Sequence, residues 1–240
     1  MEALKMTGVS RGYDGRDVLD KVDFSLEAGA FEALMGPSGC GKSTFLHIAA
    51  GLLSADSGRV MVGGEEITAM PDSALARFRR RHVGVVFQQF NLLGGRTVRD
   101  NVLLPLKLDG AAIDDKVERR LSALASELGI GELMPKKAAA LSGGEQQRVA
   151  IARSLIAEPD VVLADEPTGN LDLQSAKNIC RLLQKLNRNE KSAILLITHD
   201  PVVAAAAGRV NFLKNGTVVD SFDPASDASL VSRRYLEVFG

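Results

Sequence analysis

The chain has 240 residues, of which 45% are hydrophobic and 25% charged, and its formal net charge is −1 at pH 7. This length and apolar content suit one large domain, or a domain with an inserted subdomain. The near-neutral charge excludes the broad basic surface that nucleic-acid binding normally needs, so we expect no nucleic-acid partner.

The number of cysteines and the length of the apolar runs indicate the cellular compartment. Cys40 and Cys180 are too few and too far apart in sequence for a disulfide framework, which favours a reducing, cytosolic compartment. The N-terminus lacks the basic and apolar regions of a signal peptide. The longest apolar runs, at 193–197 and 202–207, are far short of the ~20 residues that cross a bilayer. If the protein works at a membrane, we expect another chain to supply the membrane-spanning part.

The first strands lead into a glycine-rich loop. Alternating apolar and polar residues predict strands at 4–10, 22–26 and 31–35, with a turn at 12–15. Residues 36–44 then read GPSGCGKST, which is the G-x-x-x-x-G-K-[ST] pattern of a triphosphate-binding loop. A helix predicted over 44–50 would point the positive end of its dipole at the phosphates.

The chemistry of this loop needs its residue types. Glycines let backbone N–H groups turn inward around an anion, Lys42 places a charge on the outer phosphates, and Ser43 offers a hydroxyl to Mg²⁺. A chance glycine-rich turn is the alternative, and the order of strand, loop and helix disfavours it. The predicted ATP-binding residues of this loop are Gly36, Pro37, Ser38, Gly39, Cys40, Gly41, Lys42, Ser43 and Thr44.

The middle of the chain changes from strand to helix. A strand with a tight turn, a helix and a buried strand are predicted in turn at 58–64, 71–81 and 83–87. Helical patterns follow at 97–108, 114–128 and 141–157, where Pro105 should kink or end the first. We interpret the basic cluster in the helix at 71–81 as a solvated face rather than a partner or lipid contact; it consists of Arg77, Arg79, Arg80 and Arg81.

Strands and helices alternate again after Pro159. Short, almost wholly apolar strands at 160–164 and 193–198 are typical of a sheet covered on both faces, with a helix at 173–189 between them. A hairpin around Asn215-Gly216 and a helical tail ending at Phe239 complete the pattern. We therefore predict a single domain over 1–240, with an α/β body at 1–88 and 158–222, a helical subdomain at 89–157 and a tail helix within 223–240.

Two further motifs carry chemistry. Asp165 and Glu166 end an apolar strand, where one carboxylate can hold metal-bound water and the other can orient the attacking water. An exposed acidic turn is the alternative. Residues 141–148 read LSGGEQQR, in which Ser142 and Glu145 fit a capping box. Capping alone does not need two glycines, whereas bare glycines at a helix start favour a close-approach anion site.

The LSGGEQQR sequence resembles the signature motif of ATP-binding-cassette ATPases. Together with the phosphate loop, the Asp165-Glu166 pair and His199, it identifies the chain as a member of that superfamily from about Leu4 to Asp220. The resemblance implies a P-loop NTPase core with a mixed sheet, an N-terminal antiparallel β part and an inserted α-helical subdomain. It also implies a homodimer that sandwiches two ATP molecules head to tail.

The resemblance assigns roles to individual residues. The residues implied to contact the ATP of the partner chain are Ser142, Gly143, Gly144 and Asp172. Tyr13 matches the aromatic that stacks on adenine, with an ordinary turn aromatic as the alternative. Gln88, rather than Gln89, matches the glutamine that contacts Mg²⁺ and senses the membrane partner. The implied Mg²⁺ ligands are Ser43, Gln88 and Asp165, and the implied catalytic residues are Glu166, His199 and Lys42. For His199 a structural role is the alternative.

Three segments resemble one subfamily more closely, namely the one that serves lipoprotein release and macrolide or peptide efflux. They are 87–93, 97–102 and 165–172, and the departure is Gly94-Gly95-Arg96, where the subfamily often has a proline. The resemblance implies a separate integral membrane permease and a peripheral location on the cytoplasmic face of the bacterial plasma membrane. Two alternatives stay open: a cell-division-type regulatory ATPase that gates a cell-wall hydrolase, and a non-transport soluble ATPase. Cargo chemistry in such assemblies lies in the membrane subunit.

Overall fold

Two β-sheets form the frame of the chain in a computed structural model that describes residues 1–190 and 192–240. The strands are β1 (Glu2–Tyr13), β2 (Arg16–Glu27), β3 (Phe31–Met35), β4 (Ser57–Val62), β5 (Glu65–Glu66), β6 (Val83–Val86), β7 (Val161–Asp165), β8 (Ala193–Ile197), β9 (Arg209–Lys214) and β10 (Thr217–Phe222). The helices are α1 (Lys42–Ala49), α2 (Asp72–His82), α3 (Val98–Val102), α4 (Leu104–Leu108), α5 (Asp115–Leu128), α6 (Gly143–Leu155), α7 (Leu173–Glu190), α8 (Pro201–Ala204) and α9 (Ala228–Phe239). Short 3₁₀ segments lie at Gly131–Leu133 and Ala138–Ala140.

The N-terminal sheet is antiparallel in the order β2-β1-β4-β5. Its first hairpin turns at Asp14 and Gly15, both with positive φ, as a two-residue turn requires. β1 and β2 extend beyond the predicted 4–10 and 22–26, because the backbone ladder continues past the apolar residues to the pair Tyr13 and Arg16.

The second sheet is mixed, in the order β10-β9-β3-β8-β7-β6, with β10 antiparallel to its neighbour and the other pairs parallel. Consecutive residues of each parallel strand pack on opposite faces of the sheet, in two separate hydrophobic clusters. Ala33 and Val162 pack with the helices, whereas Leu34 and Leu163 pack with α1 and the N-terminal sheet. The predicted fold class, an α/β core with a mixed sheet and an antiparallel β part, is therefore confirmed, and the core lies on both faces of this sheet.

The helical pattern predicted over 97–108 forms two short helices that break at Leu103, two residues before Pro105, in agreement with the kink or end expected from this proline. Thr97 caps α3 by accepting a hydrogen bond from the amide of Asp100. Pro105 lies in the first turn of α4 rather than at a helix end, because a first-turn residue needs no hydrogen-bonded amide. Helices α3 to α6 all lie between residues 98 and 155, and we propose that they form the subdomain predicted for 89–157.

The interpretation of the arginine cluster as a solvated face holds for only part of it, since Arg77 and Arg81 are exposed whereas Arg79 and Arg80 are half-buried. Arg79 donates to the backbone carbonyl of Gly51 at 2.6 Å. Arg80 and Arg81 both donate to Asp109, at 3.4 and 2.6 Å, and the Asp109 side chain is only 10% exposed. Arg80 and Arg81 therefore connect α2 to the end of α4, and Arg79 connects it to the segment after α1, since a guanidinium can reach a partner well outside its own helix.

The tail forms the last packed element. Within α9, Tyr235 and Phe239 lie edge-on to Phe212 of β9, with ring centroids 5.9 and 5.4 Å apart. In the ranges 1–190 and 192–240, every helix is too short or too polar to span a bilayer.

Candidate ATP site

Four parallel strands bring their carboxyl ends to one edge of the mixed sheet. The register pairs Leu34 of β3 with Ile197 of β8, and Ile197 with Asp165 of β7. β6 lies on the far side of β7, with Val86 opposite Ala164. The segments that follow these strands therefore meet at this edge, which is where ligands bind in open α/β sheets.

The phosphate loop follows β3 and wraps around its own lysine. Lys42 is buried, and its Nζ donates to the backbone carbonyls of Gly36 and Pro37, both at 2.9 Å. Gly41 has a φ of 104°, and a Cβ there would lie 2.7 Å from the carbonyl oxygen of Val18. Only glycine fits this position, and it leaves the first amides of α1 free of any side-chain cap.

The predicted metal ligands gather beside this loop. Burial raises the pKa of Asp165, and the negative charge of neighbouring Glu166 raises it further. Three neighbours lower this pKa: His47, the Ser43 hydroxyl through a hydrogen bond, and Lys42. Ser43 and Asp165 are thus close neighbours, and the carboxylate is short of positive charge. Hydroxyl and carboxylate oxygens are the ligands that Mg²⁺ prefers, so the donor set fits this ion.

The metal site would depend on phosphate and water for its other ligands. Among the described residues, no group of three or more His, Cys, Asp or Glu side chains is placed to hold a metal. That is the usual situation for Mg²⁺ at nucleotide sites, where one or two carboxylates act together with substrate phosphates.

Glu166 and His199 form a pair at the ends of β7 and β8. His199 Nδ1 lies 2.9 Å from Glu166 Oε1, and the amide of Glu166 donates to the carbonyl of Ile197 at 2.9 Å. Glu166 has a φ of 42°, a left-handed conformation that costs a non-glycine residue about 1–2 kcal/mol. Such conformations cluster at functional sites, and here the carboxylate faces a cavity of about 260 Å³ that His199 also lines.

Gln88 reaches the same place from β6. A Cβ on Gly169 would lie 3.0 Å from Gln88 Nε2 and 3.3 Å from Glu166 Oε2, so both side chains border this glycine. Asn170 Nδ2 donates to the backbone carbonyl of Gln88 at 2.8 Å. Asp172, further along this segment, accepts from Ser175 and from the first amides of α7, and these bonds hold its pKa below the ordinary value.

The signature segment starts α6 with the capping box expected from the sequence. Ser142 and Glu145 bond reciprocally, and the hydrogen bonds to the Glu145 carboxylate keep its pKa low. A Cβ on Gly143 would lie 3.7 Å from Leu171 and 3.8 Å from the ring of Phe90. No hydrogen bond or ion pair among the described residues joins Ser142 to the phosphate loop of the same chain.

Tyr13 lies at the end of β1 and is 43% exposed. The guanidinium of Arg11 lies 4.9 Å from the centre of its ring, and Arg11 is fixed by an ion pair of 2.6 Å with Asp56. No sequence pattern signals this support, because Arg11 lies in β1 and Asp56 lies just before β4.

Three other residues at the site were not anticipated. His47 lies near enough to Asp165 to lower its pKa. Asn170 and Arg153 hold backbone carbonyls of residues 88–91. Asn170 adjoins a recognised motif, but no sequence pattern signals Arg153.

Comparison with known proteins gives one consistent result. The family model described as ABC transporter matches residues 19–169. The chain is 42% identical to the lipoprotein-releasing system ATP-binding protein LolD of Anaeromyxobacter dehalogenans, over 90% of this chain and 92% of that protein. It is 39% identical to the bacitracin export ATP-binding protein BceA of Halalkalibacterium halodurans, over 91% of this chain and 87% of that protein.

A solved structure shares the fold closely. It is the dimer of the ATP-binding cassette MJ0796 in a post-hydrolysis state with ADP and Pi, with a TM-score of 0.83 and 35% identity. The match covers 92% of this chain and 98% of the MJ0796 chain.

Proposed function

The chain belongs to the ATP-binding-cassette family of transporter proteins, and from this premise we propose that it drives a separate membrane permease by closing two of its copies around ATP. It is an ATPase subunit of a membrane transporter, it dimerises, and it is peripheral to the membrane. The observation that carries the proposal is the meeting of the phosphate loop, the Glu166–His199 pair and Gln88 at one sheet edge.

Within this site, Lys42 and the loop amides offset the charge of the phosphates. Ser43, Asp165 and Gln88 would hold Mg²⁺, which when bound neutralises charge on the outer phosphates. Glu166 polarises the attacking water through its carboxylate, because this residue lines, together with His199, a cavity at the ends of β7 and β8. His199 keeps that carboxylate in place through the 2.9 Å contact and holds the γ-phosphate.

The second half of each site comes from the other copy. Ser142 is exposed, and a Cβ on Gly144 would contact nothing within 4 Å, so the start of α6 is open to an incoming anion. We assign this surface, together with Asp172 at the crossing of the two chains, to the ATP held by the partner's phosphate loop. Tyr13 stacks on adenine, since its ring is exposed at the end of β1.

The permease docks in a groove of about 400 Å³ between the α/β body and the α3–α4 region. Val83, Phe87 and Pro105 line the groove, and Leu52 and Leu108 are exposed at it, at 44% and 63%. An apolar groove of this kind suits an amphipathic helix. Two arginines of the lining favour acidic residues on that helix; they are Arg79 and Arg80.

The names of the relatives support a proposal for the cargo and the compartment. LolD is named for lipoprotein release and BceA for bacitracin export, and the chain resembles both at about equal identity. We assign it to lipoprotein release or peptide efflux at the cytoplasmic face of a bacterial plasma membrane.

The deciding experiment measures ATP hydrolysis by the purified chain with Mg²⁺, alone and in proteoliposomes with the permease encoded beside its gene. We expect basal turnover alone and faster turnover with the permease. Equal turnover in both preparations would contradict the coupling, and the absence of turnover in either would contradict the assigned chemistry.

A further inference from the structure

The segment after β6 contains two consecutive left-handed residues that are not glycine. Phe90 has a φ of 59° and Asn91 a φ of 48°. Asparagine tolerates this conformation, but a bulky aromatic residue rarely adopts it. A backbone of this kind persists only where the surroundings determine it, and it is concentrated at functional and switching sites.

Arg153 of α6 determines it here. Its Nη2 donates to the carbonyl of Phe90 at 2.8 Å, and its Nη1 donates to the carbonyl of Asn91 at 2.6 Å. The two prongs of one rigid guanidinium thus fix two successive peptide groups. Burial alone lowers the pKa of Arg153, with no contribution from any charged neighbour among the described residues, so its charge is directed at these carbonyls.

The same segment carries Gln88 into the ATP site. Gln88 Nε2 and Glu166 Oε2 both border Gly169, and Asn170 Nδ2 donates to the Gln88 carbonyl at 2.8 Å. The ring of Phe90 lies against Gly143 at the start of the signature helix. Residues 88–91 are therefore held at one end by Asn170 and at the other by Arg153.

The position of Arg153 is itself fixed by the helix that bears it. A Cβ on Gly84 would lie 2.4 Å from the carbonyl oxygen of Ser154, so α6 contacts the backbone of β6 directly. β6 is the strand that leads into Gln88. Along α6, Arg153 is ten residues from Gly143, which corresponds to about 15 Å of rigid helix.

We propose that Arg153 is a positioning residue for ATP hydrolysis: its guanidinium holds Phe90 and Asn91 in the left-handed conformation and thereby places Gln88 beside Glu166. This inference rests on the proposed role of Gln88 at the ATP site. Arg153 and Asn91 also line the permease groove, so a helix that docks there contacts the residues that set the position of Gln88.

The test separates kcat from KM in the purified chain. Arg153→Gln should lower kcat about 10- to 100-fold, because small displacements of catalytic groups have effects of this size. The KM for ATP should stay unchanged, since Lys42 and the loop amides remain in place. Arg153→Lys keeps the charge but loses the two-pronged geometry, so its kcat should lie between those of the wild type and Arg153→Gln. It is the test variant if Arg153→Gln does not fold.

Rescue by Asn91→Gly distinguishes a positioning role of Arg153 from a packing role. Asn91→Gly removes the conformational cost at one of the two residues, so adding it to Arg153→Gln should restore part of the lost kcat. Arg120→Gln is the matched control, because Arg120 also donates to a backbone carbonyl, that of Leu155 at 3.0 Å, but does not contact residues 88–91. It should keep a normal kcat.

An unchanged kcat in Arg153→Gln, or a loss that Asn91→Gly does not relieve, would overturn the inference. The turnover of the wild-type chain in the same assay distinguishes a failure of the proposed function from a failure of the role of Arg153. Absence of wild-type turnover would contradict the proposed function itself, whereas normal wild-type turnover with an unaffected variant contradicts only the role of Arg153.

Discussion

His199 Nδ1 and Glu166 Oε1 lie 2.9 Å apart, although the two residues are separated by 33 positions in the sequence. They meet because β7 and β8 are adjacent parallel strands in register, with Asp165 opposite Ile197. Glu166 is partly buried, with 22% of its side chain exposed, whereas His199 is 66% exposed. The carboxylate is thus the sheltered member of the pair, and the imidazole is the exposed member.

Glu166→Gln should bind ATP and dimerise but hydrolyse ATP at least about 100-fold more slowly, because an amide does not polarise the attacking water. Nucleotide binding by fluorescence, dimer formation by size-exclusion chromatography and phosphate release measure the three properties separately. Normal phosphate release by this variant would refute the role of Glu166.

His199→Ala should lower kcat by about 10² or more while the KM for ATP stays nearly unchanged, since the histidine orients the carboxylate and the γ-phosphate. His82→Ala is the matched control. His82 makes a similar contact, 2.8 Å from its Nδ1 to Asp160 Oδ2, before β7 begins rather than after it ends. Equal losses of kcat in the two variants would show that the effect is structural.

Asp165→Asn should increase the free energy of unfolding of the nucleotide-free chain at pH 7.5. The pKa of Asp165 is raised by burial in the folded chain, whereas the unfolded value is about 3.9, so the ionised carboxylate destabilises the fold at neutral pH. This cost disappears as the pH falls through the raised pKa, because the folded chain then binds the proton. The advantage of the variant over wild type in urea unfolding should therefore shrink as the pH falls from 7.5 through the raised pKa of Asp165.

Asp172→Asn should give the opposite sign in the same measurement. Hydrogen bonds from Ser175 and nearby amides lower the pKa of Asp172 in the folded chain. Its stabilising contribution is complete above the unfolded pKa and is lost as the pH falls through the folded value. Similar unfolding curves for the two variants at pH 7.5 would contradict the electrostatic account of both carboxylates.

Leu108→Glu should abolish permease stimulation of ATP hydrolysis while basal turnover stays at the wild-type level. Leu108 is 63% exposed at the groove, and a carboxylate there places charge in an apolar contact. Leu236→Glu is the control, since Leu236 on α9 is 67% exposed and does not line the groove. Full stimulation of the Leu108 variant would place the docking surface elsewhere.

Much of the fold followed from local patterns. The apolar strands, the glycine loop and the Asn215-Gly216 hairpin are each encoded within a few consecutive residues, and the structure has all of them. The parallel sheet then explains why Glu166, Gln88 and His199 meet, because strand ends at one edge are neighbours.

The remaining features depend on contacts between distant residues. Asn91 is a residue type that tolerates a left-handed backbone, but Phe90 gives no such signal, and Arg153, which stabilises this backbone, is about sixty residues away in sequence. The shared partner of Arg80 and Arg81, Asp109, likewise could not be predicted from the sequence. Its identification depends on how α4 lies against α2.

The most direct test of the shared site is a disulfide between two copies. One copy carries Ser38→Cys in the phosphate loop and the other carries Ser142→Cys, in a Glu166→Gln and Cys40→Ser background, with tags of different length. Cys180 can remain, because burial raises its pKa to about 11 and keeps the thiol unreactive. We predict a mixed-chain disulfide only with ATP and Mg²⁺ present, and an ATP-bound dimer that forms without this cross-link would contradict the account.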